Sequence, residues 1–105
     1  MIERIWHGWA TPEDADEYER RLRERILPEF AEQDIEGYRG VRVLRRARED
    51  DVEFVTAMRF ESLDAVKRFA GEDYESAHVP PEAREVLARY DDRARHYELR
   101  EVETY

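Results

Sequence analysis

The segment that decides the fold is residues 2–9, IERIWHGW. Its β-branched and aromatic residues are typical of a β-strand. Successive side chains of a strand point to opposite faces, so Arg4 and Trp6 share one face. Ile5 and His7 share the other face. Because large side chains occupy both faces, the pattern predicts a strand within a sheet that is covered on both sides.

A helix and a β-hairpin are predicted after this strand. Residues 11–14 (TPED) supply an N-cap, a proline at the first helical position and acidic residues in the first turn. Pro28 is expected to kink or end this helix near Leu27. Residues 40–48 and 51–60 then alternate in the manner of two antiparallel strands joined by a short polar loop.

A second helical region and a last strand complete the pattern. Ser62 is a predicted N-cap, and Gly71 stands where a left-handed C-terminal residue is expected. A further helix is predicted to begin at Pro81 and to carry Tyr90 among its apolar residues. Residues 93–99 (RARHYEL) have the composition of a final strand.

The order of these elements predicts the fold class. A strand, a helix, two strands, helices and a last strand indicate an α+β fold of the ferredoxin-like βαββαβ type, with an antiparallel sheet. Residues 1–100 form a single domain in this interpretation, and residues 101–105 form a polar tail. Helices of this fold cover one face of the sheet. Since the other face also carries large side chains, we expect it to pack against a twofold-related copy in a homodimer.

Composition restricts the partners. The formal net charge of −9 arises from 27 acidic and 18 basic residues. Such a surface repels phosphate backbones and anionic lipid headgroups, which disfavours nucleic-acid and membrane partners. The chain has no cysteine, and no apolar run approaches the roughly 18 residues of a membrane span. We therefore expect a cytoplasmic protein. None of the three histidines is paired at HxH or HxxxH spacing, which disfavours a metal site.

Three stretches together resemble a known family. They are Trp6-His7-Gly8 (WHG), residues 59–78 (RFESLDAVKRFAGEDYESAH) and residues 96–99 (HYEL). The combination resembles the antibiotic-biosynthesis monooxygenase-like superfamily, and the resemblance covers nearly the whole chain. It implies a dimeric α/β barrel. Members of that superfamily include cofactor-free oxygenases of polyphenols and haem-degrading enzymes.

The resemblance implies a small-molecule-binding protein similar to cofactor-independent monooxygenases. Its ligand would be an electron-rich aromatic of the phenol or hydroquinone type, whose carbanion reduces dioxygen without flavin or metal, so no cofactor is expected. One alternative is a non-catalytic ligand-binding or interaction module. Another is a haem-binding or haem-degrading protein, because His78 falls near the haem-ligating histidine of that branch. At that branch's asparagine and tryptophan, this sequence has His7 or Trp6 and Phe69.

Six residues are candidates for such a site. His7 is the preferred catalytic base, because a neutral imidazole accepts a proton from a phenol near physiological pH. The alternative for His7 is packing within the dimer barrel. The predicted substrate-binding residues are aromatic rings, imidazoles and one guanidinium group: Trp6, Arg46, Phe69, His78 and His96. With 27 acids available, surface ion pairs are the alternative role for Arg46.

Overall fold

The computed structural model describes all 105 residues and has an antiparallel sheet with helices on one face. The elements are β1 (Ile2–Ala10), α1 (Ala15–Arg21), a π-helical segment (Leu22–Ile26), α2 (Leu27–Glu32), β2 (Tyr38–Ala47), β3 (Val52–Phe60), α3 (Leu63–Ala70), α4 (Pro81–Arg84), β4 (Arg89–Tyr90) and β5 (Arg95–Glu98). The strand order is β2-β3-β1-β4, and β5 also pairs with β1. The predicted α+β, ferredoxin-like class is confirmed.

Strand register assigns each side chain of the sheet to a face. Arg4 pairs with Met58 on β3 and with His96 on β5, while Trp6 pairs with Thr56. Paired residues lie on the same face, so these side chains all point toward the helices. The next residues along β1 point the other way. His7, for example, pairs with Val55 on the face that no helix covers.

The core lies between the helix-facing side of the sheet and the helices. Tyr18 of α1 packs edge-to-face on Phe54 of β3, with ring centroids 4.8 Å apart. A second cluster joins Phe60 of β3 to Val66 of α3, and both of these side chains are fully buried. Each buried large side chain contributes about 1.5–3 kcal/mol relative to exposure, so these two clusters hold the helices on the sheet.

Pro28 was expected to kink or end the first helix near Leu27 and to leave Glu29 to Gln33 as a short extra turn, and the helix does not end there. The chain stays helical through Glu32 because the segment before Pro28 adopts π geometry, in which the Leu27 N–H donates to the carbonyl of Leu22. Proline lacks the N–H of a helical hydrogen bond, and its ring clashes with the carbonyl four residues earlier. A π turn shifts that carbonyl out of register, so the helix accommodates Pro28.

The ends of α3 agree with the sequence, whereas the last helix does not. Ser62 Oγ accepts from the Ala65 N–H at 3.1 Å, and Gly71 adopts φ +88°. The helix that begins at Pro81 is only one turn long, and Tyr90 belongs to β4. Tyr90 pairs with the backbone of β1 at Gly8, and this strand pairing outweighs the local helical spacing. The final strand is also shorter than predicted.

Candidate functional site

A cavity of about 60 Å³ lies between the helix-facing side of the sheet and the helices. Fifteen residues line it, and eleven of them are hydrophobic. His78 lines the cavity and is exposed to solvent, so it marks the mouth. A ligand larger than this volume would place one end inside and extend through the mouth.

Aromatic side chains form much of the wall. Trp6 stands on β1, and its indole N–H donates to the carbonyl of Asp91 at 2.8 Å, which fixes the ring. Phe69 of α3 meets Phe30 of α2 edge-to-face with centroids 5.1 Å apart. Rings held in this way present flat apolar surfaces, which suit an aromatic ligand.

Arg4 places a positive charge at this apolar cavity. It is only 5% exposed. Its guanidinium donates to the backbone carbonyls of Tyr74 and Ser76 and to Nε2 of His96, and it also lies over the ring of Phe69. Burial lowers the pKa of Arg4 to about 10, so the group is still charged near neutral pH.

His96 supports Arg4 and remains neutral. The distance from Arg4 Nη1 to His96 Nε2 is 3.0 Å. Arginine has no acceptor, so Nε2 must accept and the ring proton resides on Nδ1. Burial and the positive charge of Arg4 hold the pKa of His96 below its ordinary value, against an opposing effect of Glu75. His96 therefore positions the guanidinium, and its Nε2 lone pair is already engaged.

His78 has a free ring nitrogen at the mouth of the cavity. Its Nε2 lies 2.9 Å from the carbonyl oxygen of Ala70. A carbonyl only accepts, so Nε2 carries the proton, and in the neutral ring Nδ1 keeps its lone pair. No group of the chain forms a hydrogen bond with Nδ1. Of the three histidines, His78 is the one that combines a position at the cavity with an available basic nitrogen.

Two hydroxyl groups also reach the cavity lining. Tyr18 and Thr56 are both buried and line the cavity. Burial raises the pKa of the Tyr18 phenol, so it stays protonated and is available as a donor.

Sequence reasoning did not select Tyr18, Thr56 or Arg4. For Arg4 a signal was present, because the alternation placed a charged residue beside Trp6 on a face rich in large apolar groups.

Two of the six sequence candidates lie elsewhere. His7 and Arg46 stand on the uncovered face of the sheet, where both bind the carboxylate of Glu53 at 2.8 Å and 2.6 Å. His7 also stacks with Trp9. The sheet separates them from the cavity. Trp6, Phe69 and His78 do line the cavity, and His96 contacts it through Arg4.

The geometry does not fit haem. A porphyrin is far wider than this cavity of about 60 Å³, which takes in only one end of a larger ligand. The Nε2 atom of His78 already donates to the carbonyl oxygen of Ala70.

No group of three or more histidine, aspartate or glutamate residues is arranged to hold a metal ion. No helix is long and apolar enough to cross a membrane.

Comparison with known proteins identifies the fold. No protein-family model and no curated protein matches the sequence. The crystal structure of a Bacillus cereus protein whose assigned name is antibiotic biosynthesis monooxygenase aligns with 100% of this chain and 96% of its own, at a TM-score of 0.67. The two chains share a fold. Their sequences are 16% identical, so this likeness establishes the fold alone and leaves the activity to be argued from the site.

Proposed function

We propose that this chain is a small-molecule enzyme of the cofactor-independent monooxygenase kind that acts on an electron-rich aromatic substrate. The observation that supports this best is the cavity itself. It combines aromatic walls, a buried guanidinium from Arg4 and a histidine, His78, with a free basic nitrogen at the mouth. An apolar pocket with a few convergent polar groups is the usual form of a small-molecule site.

In the proposed reaction His78 is the base. The substrate carries a CH₂ group between phenolic rings, and Nδ1 of His78 takes one proton from it. The electron pair left on carbon spreads into the rings and forms a C–O bond with dioxygen, giving a peroxide anion that takes the proton back from His78 to become a hydroperoxide. Loss of water from the hydroperoxide leaves a carbonyl. One oxygen atom enters the product and the other leaves as water, so the substrate supplies all the electrons and no external reductant is needed.

The cavity walls would assist this chemistry. Trp6 and Phe69 exclude water from the rings of the substrate, and in such surroundings the interaction of an anion with Arg4 is stronger than in water. The tautomer imposed by Ala70 keeps Nδ1 of neutral His78 unprotonated before the reaction. These residues therefore bind, orient and deprotonate the substrate.

Oxygen uptake tests the proposal. With a dihydroxyanthrone as substrate, the wild-type protein should consume dioxygen faster than the spontaneous oxidation, and His78→Ala should lower the catalysed rate roughly 100-fold or more. His7→Ala is the matched control, because it removes a histidine on the other face and should leave the rate unchanged. Full activity in His78→Ala, or loss of activity confined to His7→Ala, would show that His78 is not the base.

The same site is compatible with a non-catalytic binding module, since its walls and Arg4 serve binding as well as chemistry. Binding of the anthrone without any catalysed oxygen uptake would identify that function.

A dimer is also part of the proposal. The uncovered face of the sheet carries exposed Leu44 and Tyr97 around the less exposed Ile5 and Val55, and a twofold-related copy would cover them.

A further inference from the structure

Arg4 differs from every other arginine of the chain in its surroundings. Thirteen of the seventeen arginines have a carboxylate within 4.0 Å. The four without one are Arg4, Arg59, Arg68 and Arg84, and the last three are exposed to water. In a chain with 27 acidic residues, the one buried arginine has no counter-ion.

A buried charge without a partner of opposite sign is costly, because it loses its hydration. The neutral acceptors around Arg4 offset only part of that loss. Nη1 donates to Tyr74 and His96, and Nη2 donates to Ser76 at 3.3 Å. Of the five N–H donors of a guanidinium, the Nε–H and one Nη2–H make no hydrogen bond within the chain. Two such neighbouring donors match the two oxygens of a planar anion.

We infer that the ligand of this cavity is a planar aromatic carboxylate and that Arg4 binds its charged end. The inference rests on the proposed function for the place of the ligand and adds its chemical class. The anion supplies the counter-ion that Arg4 lacks within the chain. Its ring lies against Trp6 and Phe69, toward the mouth at His78. His96 is a positioning residue, since it orients the guanidinium through Nε2.

A pair of probes of equal shape and different charge tests this inference. Benzoate and benzamide are titrated into the full-length protein by calorimetry. Benzoate should bind roughly tenfold or more tightly than benzamide, as expected for a charge-assisted hydrogen bond. Equal affinity for the two probes, or binding of neither at millimolar concentration, would overturn the inference. This comparison uses the wild-type chain, so it does not depend on the folding of any variant.

Variants then assign the preference to Arg4. Arg4→Met should bind benzoate and benzamide equally, and Arg4→Lys should keep part of the preference because it keeps the charge without the planar fork. Arg59→Met removes the same charge from an exposed position without a carboxylate partner and should behave as wild type. A role of Arg4 confined to holding the carbonyls of Tyr74 and Ser76 predicts no charge preference. Preference retained by Arg4→Met would also contradict the inference.

The outcomes separate this inference from the proposed enzyme. An anion preference that depends on Arg4, without catalysed oxygen uptake, keeps the ligand class and rejects the oxygenase. Catalysed uptake that depends on His78, without an anion preference, keeps the oxygenase and rejects the role of Arg4.

Discussion

The three histidines show how surroundings give one residue type three different states. His7 lies on the uncovered face of the sheet and binds the carboxylate of Glu53. His96 is half-buried and accepts from Arg4, which keeps its ring neutral. His78 donates from Nε2 and leaves Nδ1 free at the cavity. Of the three, only His78 has an unengaged lone pair at the cavity, and that is why the proposed chemistry is assigned to His78.

Glu53 makes the stability of the folded chain depend on pH. The hydrogen bond from His7 holds the pKa of the Glu53 carboxyl below its ordinary value of 4.5, with burial opposing this effect and Arg46 reinforcing it. The folded chain therefore binds fewer protons than the unfolded chain just below that pH. The contribution of Glu53 to stability is present above about pH 4.5 and is lost as the pH falls through the folded pKa.

We expect the free energy of unfolding, measured with urea at pH 7 and pH 3.5, to fall less in Glu53→Gln than in the wild type. Glutamine does not titrate, so the part of the pH dependence that belongs to Glu53 disappears. Glu29→Gln removes an exposed acid that forms no ion pair and should show the wild-type difference. Identical differences in all three proteins would contradict the assigned role of Glu53.

At the scale of elements, helix ends are settled by single hydrogen bonds. Ser62 caps α3 through the Ala65 N–H, whereas the side chain of Asp14 at the start of α1 makes no capping bond. Ser62→Ala should therefore lower the free energy of unfolding by about 1 kcal/mol. Asp14→Ala should cost less, because it removes only a charge near the helix N-terminus. Urea denaturation measures both, and a larger loss in Asp14→Ala than in Ser62→Ala would refute the expectation.

The long helical segment contains a π turn that the residue pattern did not predict. Pro28 was expected to kink or end the helix, because a proline ring conflicts with the preceding turn. The π geometry of Leu22–Ile26 removes that conflict, so the chain continues into α2. Leu22 and Ile26 are both buried against the sheet, and their packing stabilises the irregular turn. Tertiary contacts thus decided the course of this element.

At the scale of the whole molecule, the uncovered face of the sheet is the proposed contact with a second copy. Most of its charged residues are paired within the chain, as Glu3 is with Arg42 at 2.8 Å, whereas Arg59 has no carboxylate partner. No helix covers its apolar residues, and Leu44 is 49% exposed. A face whose charges are mostly paired and whose apolar groups are open suits contact with a second copy, because few unpaired charges have to be buried.

Leu44→Glu should convert the proposed dimer into a folded monomer, since it places a further charge within the contact. Light scattering after size-exclusion chromatography measures the mass, and circular dichroism reports the fold. Val43→Glu is the matched control, because the neighbouring residue is 36% exposed and lies on the helix-facing side. A wild-type monomer, or a Leu44→Glu dimer, would exclude this face as the interface.

The sequence alone was sufficient for the class of the fold and for most of its elements. Alternation in residues 2–9 and the cap at Ser62 are local signals, and local geometry follows from neighbouring residues. Local signals did not predict the extents of α4 and β4. Tyr90 follows helical spacing, but its backbone pairs with Gly8, which is distant in sequence.

The site was determined mainly by the tertiary structure. Alternation placed Arg4 with Trp6 and His7 on the opposite face, but it did not indicate which face the helices cover. Arg4 meets the carbonyl of Tyr74 across 70 positions of sequence, and no local pattern encodes that contact. The sequence by itself determined which side chains share a face. Only the packing of distant segments decided which face holds a cavity and which arginine lacks a counter-ion, because burial depends on all the elements at once.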